Sequence, residues 1–328
     1  MARTRYASDP GLIARMGATM FLLGLVIAGF AAGLVYVLWW FGSGRHGGNA
    51  SLSAGPFIFF AAVIGIGSAL ASYYWSDKIA LATSGAQLVG PNDGDQAKRL
   101  HEIIDRICAL ANVPKPRVAI APTSMPNAFA TGRNSKVAVV CATQGILTKL
   151  DDKELEGVLA HEMSHVAHKD VAVMTIASVV GVIAALMVRF AFYSELFGGG
   201  RRSSNNNQSA ALLIPIIMAL SIVFYAISFL LIRMLSRYRE LSADRSGALL
   251  TGQPSALASA LVKVTGDMGR IPTRDLREAA HLNAFYFTPA LRPGDSLMNI
   301  FSTHPPLKRR LAQLDKISQQ LGQSAIGH

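Results

Sequence analysis

The sequence predicts a mainly α-helical fold with a small β-sheet, held in a membrane by four helices. Of the 328 residues, 51% are hydrophobic and only 16% are charged, whereas a soluble domain has roughly 25% charged residues. The hydrophobic excess lies in four uncharged blocks, at residues 18–41, 56–75, 171–188 and 210–232. About 20 apolar residues cross the hydrocarbon layer as a helix, so each block is predicted to span it.

These blocks divide the chain into four parts. Residues 1–75 hold the first two spans, 76–170 form a first polar part, 171–232 form a transmembrane hairpin, and 233–328 form a second polar part. Within the first polar part, residues 95–111 have the apolar spacing of an amphipathic helix, and a strand-like run, KVAVVCAT, follows later.

The distribution of basic residues predicts the orientation. The loops 42–55 and 189–209 together carry four arginines, whereas ten basic residues lie near the membrane on the opposite side. Because loops rich in Lys and Arg stay cytoplasmic, both polar parts are predicted to face the cytoplasm. The net charge of +11 then indicates a basic surface beside anionic lipid. Nucleic-acid binding is not expected, since no basic stretch is interleaved with stacking aromatic residues.

The sequence HEMSH, at residues 161–165, predicts a metal-dependent catalytic site. His161 and His165 are four residues apart, so on a helix they share one face and can bind one metal ion, with Glu162 beside them to act on water. Asp151, followed three residues later by Glu154, is typical of a capping box. No proline interrupts residues 151–170, which predicts one continuous helix.

A catalytic zinc site needs a third protein ligand. His168 is seven residues from His161 and therefore on the same helix face, but it lies about 5 Å beyond His165. Glu240 is the better candidate, because the hairpin of residues 171–232 returns it to the side of the two histidines. Asp244, four residues later, can hold a histidine by its second ring nitrogen. The alternative for both acids is ion pairing with the surrounding arginines, which are Arg237, Arg239 and Arg245.

In this order of segments the sequence resembles the HtpX family of membrane-embedded heat-shock zinc metalloproteases, relatives of the CAAX-prenyl proteases. The matching segments are PNAFATGRN (126–134), LEGVLAHEMSHVAHKD (155–170), SRYRELSADRSGA (236–248) and STHPPLKRRLAQL (302–314), with spans between them. The resemblance implies a gluzincin-like protease domain in the cytoplasmic membrane of a bacterium, with the active site and both termini on the cytoplasmic side.

The resemblance also implies roles for individual residues. One Zn²⁺ would be bound by His161, His165 and Glu240, with Glu162 as the general base and Asp244 supporting a ligand. An edge strand would bind the substrate backbone, and His304 would lie near the active site as a possible oxyanion stabiliser. That strand is formed by Asn127, Ala128, Phe129 and Ala130. A histidine at position 168 departs from the family pattern and leaves a weak extra metal contact open.

The function expected from these features is hydrolysis of peptide bonds in misfolded or damaged membrane proteins, as part of a stress response. The expected partners are polypeptide substrates and the lipid bilayer, and oligomeric state stays open. Two alternatives remain. One is a processing protease of the CAAX-prenyl type, and the other is a membrane scaffold or transporter in which HExxH is incidental.

Overall fold

The computed structural model of the chain describes residues 10–42, 54–177, 208–268 and 304–322, with a few positions between 179 and 189. It is mainly helical with one small mixed sheet, as predicted. The helices are α1 Pro10–Gly42, α2 Ala54–Ser84, α3 Asp95–Ala111, α4 Gln144–Lys149, α5 Asp152–Ala167, α6 Gln208–Thr251, α7 Pro254–Met268 and α8 Leu307–Gln320. The strands are β1 Gln87–Leu88, β2 Arg117–Ala121, β3 Ala128–Thr131 and β4 Val139–Thr143.

The chain forms two compact units. One comprises residues 1–16, 72–173 and 233–328, and the other comprises residues 17–71 and 174–232. Every residue with a predicted role in chemistry belongs to the first unit.

The described residues of the second unit are helical and mostly apolar. Among the described residues, two stretches are long and apolar enough to cross a membrane, Pro10–Phe30 and Pro215–Thr251, and only 17% of the most apolar part of each is buried. Large side chains such as Phe21 and Val223 are more than half exposed, which is unlike a soluble core helix and suits contact with lipid. The predicted span 56–75 lies within α2. Of the predicted span 171–188, residues 171–177 are helical, and seven of the other residues lie outside the described part of the chain.

The sheet has the strand order β1-β2-β4-β3. β2 and β4 are parallel, while β1 and β3 pair antiparallel to their neighbours. Within the described sheet, β3 is therefore an edge strand. One sheet face packs with α3, α5 and α7 into the main hydrophobic core, and the other face packs against the C-terminal turns of α2 through Ala80.

Helix α5 carries the HExxH sequence and is fixed at its start by the predicted capping box. The Asp151 carboxylate accepts a hydrogen bond from the Glu154 N–H at 2.9 Å, and the Glu154 carboxylate accepts one from the Asp151 N–H at 3.1 Å. Behind the cap, Leu155 and Leu159 are fully buried. They face the core, and this orientation directs the metal-binding face of α5 to the opposite side.

The prediction of one continuous helix over residues 151–170 is wrong. Helix α5 ends at Ala167 with His168 as its C-cap, and Lys169 adopts a left-handed conformation with φ of 58°. A new helix starts at Asp170. The N–H of His168 still donates to the Ser164 carbonyl at 2.9 Å, so the helix breaks directly after His168, at Lys169. The break needs neither glycine nor proline, which is why residue types alone did not reveal it.

Helix α6 passes very close to α5 at Gly247. A Cβ atom at this position would lie 2.8 Å from the backbone nitrogen of His161 and 3.1 Å from its Cα. Both atoms belong to the backbone of a packed helix, so neither can move aside cheaply. Only glycine allows this approach, which places α6 alongside the first histidine.

Replacing Gly247 by alanine should push α6 away from α5. Overpacking of this kind costs about 1–3 kcal/mol, more than the ~1 kcal/mol that alanine gains in helix propensity. The apparent melting temperature of the detergent-solubilised protein should fall by about 2–4 °C per kcal/mol. Gly266→Ala in α7 is the matched control, because nothing lies within 4 Å of its added Cβ. Equal melting temperatures for the two variants would contradict this account of the packing.

Candidate metal centre

Three donor side chains from two helices meet at one point in the first unit. One ligand atom from each of His161, His165 and Glu240 lies within 4.8 Å of the others. The two histidine Nε2 atoms are 3.3 Å apart. The Glu240 carboxylate oxygens lie 3.6 Å from Nε2 of His161 and 3.4 Å from Nε2 of His165. All three side chains are at least nearly buried.

These distances suit a tetrahedral metal ion. Two nitrogen atoms about 2.0–2.1 Å from one tetrahedral ion are separated by roughly 3.3–3.4 Å, which matches the separation of the two Nε2 atoms. Two imidazoles and one carboxylate leave a fourth position open, as in catalytic zinc sites. The donor set therefore fits the metal that the sequence predicts.

His161 is held by a buried carboxylate and a buried guanidinium. Its Nδ1 atom lies 3.0 Å from Oδ1 of Asp244, and Asp244 accepts two hydrogen bonds from Arg310, at 2.8 and 2.6 Å. Burial by itself lowers the pKa of His161, but the carboxylates of Asp244 and Glu240 outweigh it and raise the pKa to about 9. A metal ion that binds Nε2 must therefore displace a proton.

His165 is held in the same manner by a different pair. Its Nδ1 atom lies 2.6 Å from Oδ2 of Asp170, and the same oxygen lies 3.0 Å from Nε of Arg239. Burial raises the pKa of Asp170, but Arg239 and His165 outweigh it and keep the pKa below its usual value. Asp170 is thus a carboxylate that fixes the ring orientation of His165.

Glu240 is contacted by His304. Nδ1 of His304 lies 2.9 Å from Oε2 of Glu240, and both side chains are buried. The structure therefore brings His304 to the metal centre, where it orients the carboxylate through a direct contact.

Glu162 lies between the donor cluster and the sheet. The N–H of Ala130 in β3 donates a hydrogen bond to Oε2 of Glu162 at 3.3 Å. Burial, the largest cause, raises the pKa of Glu162, and the charges of His161 and His165 reduce the increase. A carboxylate with a raised pKa is suited to accept and return a proton near neutral pH.

The strand β3 presents one edge toward α5. Phe129 and Thr131 are paired with Cys141 and Val139 of β4, and the carbonyl of Asn127 accepts the N–H of Thr143. Since backbone groups alternate along a strand, the N–H groups of Ala128 and Ala130 point away from β4. The contact between Ala130 and Glu162 confirms this direction. Among the described residues, no further strand pairs with this edge of β3, which runs beside the metal centre.

Comparison with known proteins identifies the family. Residues 95–318 match the model of peptidase family M48. The chain belongs to that family. It is 51% identical, over 98% of each chain, to a protein of Streptomyces coelicolor named "Protease HtpX homolog 1". It is also 46% identical to "Protease HtpX homolog" of Moorella thermoacetica, over 97% of this chain and 98% of that one.

Among solved structures, the chain is similar to S. mikatae Ste24p, with 18% identity, a TM-score of 0.48, and coverage of 92% of this chain and 66% of that chain. The M48 match and the full-length relatives confirm the resemblance to the HtpX family. They make the chain a metalloprotease, and they favour neither the CAAX-type alternative nor the scaffold or transporter.

The sequence did not predict the three residues that support the metal-binding histidines, which are Asp170, Arg239 and Arg310. Asp170 is an acidic residue only five positions after the HExxH sequence, which could have indicated a role near His165. The predicted continuous helix did not bring it back to that side chain. Arg310 also had a signal, because it lies on the apolar face of α8, three residues after Leu307 and four before Leu314. A charged residue at such a position needs a buried partner. Arg239 was assigned only as a partner of Glu240 or Asp244.

Asp170→Asn should weaken metal binding by about 10–100-fold, the usual cost of losing a carboxylate behind a histidine ligand. The reason is that the amide holds no charge against His165 and leaves Arg239 without its carboxylate. Competition with a chelator, followed by metal analysis, measures the affinity. Asp105→Asn is the control, because that carboxylate is exposed and pairs with Lys115. Unchanged affinity in the Asp170 variant would show that Asp170 does not position the ligand.

Proposed function

We propose that the chain is a zinc-dependent endopeptidase that cleaves extended segments of membrane proteins at the cytoplasmic face of the membrane. The observation that carries this proposal is the position of Glu162, which lies between a three-donor cluster and β3, an edge strand of the described sheet. A proton acceptor, a metal site and a backbone-binding strand are thereby side by side.

Zinc is the ion proposed for the cluster of His161, His165 and Glu240. Two neutral imidazoles and one carboxylate at tetrahedral spacing are typical of catalytic zinc. When bound there, zinc supplies Lewis-acid chemistry, since it polarises a carbonyl and lowers the pKa of water to about 7. The carboxylates of Asp170 and Asp244 hold the two rings so that their Nε2 atoms face one point.

Glu162 is proposed as the general base. Its carboxylate takes a proton from the attacking water and returns it to the amine that leaves, so one side chain serves both steps. Its burial keeps bulk water from competing for the proton. The N–H of Ala130 orients Oε2 and leaves the other oxygen for this transfer.

The proposed substrate is a polypeptide in extended conformation. An edge strand with free N–H and C=O groups binds such a chain by adding it as a further strand, and this mode reads the backbone more than the side chains. It favours unfolded segments, in which the backbone is accessible. A folded domain keeps its strand edges paired or covered.

The position of Glu240 along α6 supports a membrane location for the substrate. Glu240 lies on the same helix as the apolar stretch that ends at Ile232, eight residues further on, which is about 12 Å. The cluster is therefore proposed to act close to the bilayer, in a multi-pass protein of the bacterial inner membrane. The basic residues that flank the predicted spans support the cytoplasmic side.

Glu162→Gln should retain metal and lose hydrolysis, because the amide keeps the shape of the side chain but accepts no proton. The assay uses a membrane-protein reporter with an unstructured segment on either the cytoplasmic or the opposite side. Wild type should cleave only the cytoplasmic version, and the variant should be slower by at least about 100-fold. Glu102→Gln, in α3 and away from the site, is the control. Full activity of the Glu162 variant would reject the assigned base, and cleavage only on the opposite side would reject the orientation.

His304→Ala tests whether His304 serves mainly to hold Glu240. Because Nδ1 of His304 contacts Oε2 of Glu240, the variant should bind metal about tenfold more weakly. The rate per bound metal should then change by less than tenfold. Metal analysis together with kcat at saturating metal separates the two quantities. Unchanged metal affinity with a large loss of kcat would instead support a role for His304 in stabilising the oxyanion.

A further inference from the structure

A cavity of about 310 Å³ lies in the first unit, away from the metal centre, between the start of α1 and helices α6 and α8. Four cationic side chains from these three elements line it, and none of its described lining residues is acidic. The cationic residues are Arg15, Arg245, Arg309 and Lys316. The floor is apolar, with Leu12, Leu241 and Ile317 buried.

Four cationic side chains that line one cavity create a positive potential there, and this potential favours the binding of an anion. The four side chains come from three different helices, so their arrangement depends on tertiary packing. It does not follow from one basic stretch of sequence. A phosphate group matches this site, because arginine and lysine are the side chains that bind phosphate oxygens.

The place of the cavity along the chain indicates the source of the phosphate. Arg15 stands three residues before the uncharged run that begins at Ala18, and a cation at such a position faces lipid headgroups. The apolar floor formed by Leu12 and Leu241 suits the glycerol part of a lipid. The volume is at the lower end of the ~300–1,000 Å³ typical of ligand pockets, so it accommodates a headgroup and not the acyl chains.

We propose that this cavity binds the phosphate headgroup of an anionic phospholipid. The site is independent of the peptidase chemistry, yet it is connected to the metal centre through two helices. Leu241 and Arg245 flank Asp244 on α6, and Arg309 precedes Arg310 on α8. A headgroup bound between α6 and α8 therefore also stabilises the contact of Arg310 with Asp244.

Native mass spectrometry of the full detergent-purified chain tests the proposal. Phosphatidylglycerol and phosphatidylcholine with identical acyl chains are titrated separately, and inorganic phosphate is added as a competitor. Wild type should bind phosphatidylglycerol at least about tenfold more tightly than phosphatidylcholine, since four cations attract the net negative charge of the first headgroup and the second has no net charge. Millimolar inorganic phosphate should not displace the lipid.

The variant Arg309→Gln with Lys316→Gln should lose this preference for phosphatidylglycerol. Lys98→Gln with Lys308→Gln is the matched control, because it removes the same charge from exposed positions outside the cavity. Arg15→Gln alone serves as a second cavity variant should the double change prevent folding.

Three outcomes would overturn the proposal. Undiminished phosphatidylglycerol binding in the cavity variants would place the lipid elsewhere. Equal loss in the control variant would mean that diffuse charge attracts the lipid. Displacement of the lipid by inorganic phosphate, which itself binds equally tightly, would make the cavity a site for free phosphate.

Discussion

Three donor atoms that belong to two separate helices have to lie within one coordination sphere, and this constraint determines how the first unit is packed. The donors on α5 are fixed by helix periodicity, which puts His161 and His165 on one face. Glu240 comes from α6 and reaches them only because the two helices nearly touch at Gly247. A side chain there would collide with the backbone of His161 and push the two helices apart.

Each histidine is backed by its own carboxylate, and each carboxylate by its own arginine. Asp244 with Arg310, and Asp170 with Arg239, are buried ion pairs, which contribute little net stability because both charges lose their water. Their role is to fix the orientation of the two histidine rings. A carboxylate that accepts the Nδ1 proton of a histidine fixes the ring orientation and keeps Nε2 directed at the metal, and the arginine holds that carboxylate in position.

The parts of the site that depend on the spacing of residues along the chain could be predicted from the sequence. The spacing of His161 and His165 fixes their common face, and the order of apolar blocks was sufficient to select Glu240 from 20 acidic residues. The break after His168 could not be predicted, because a left-handed lysine has no composition signal. Arg310 was missed for another reason, since its partner lies 66 residues away and only packing shows that they meet. Composition located the four apolar blocks, and two candidate membrane spans, Pro10–Phe30 and Pro215–Thr251, are found among the described residues.

The metal centre has an order of assembly along the chain. A growing polypeptide exposes His161, His165 and Glu240 early, but His304 and Arg310 follow their acidic partners by 64 and 66 residues. Until α8 has been made and has docked, Asp244 lacks the guanidinium of Arg310 and Glu240 lacks the imidazole of His304. Synthesis from N- to C-terminus thus completes the support of the metal ligands only after α8 has been made.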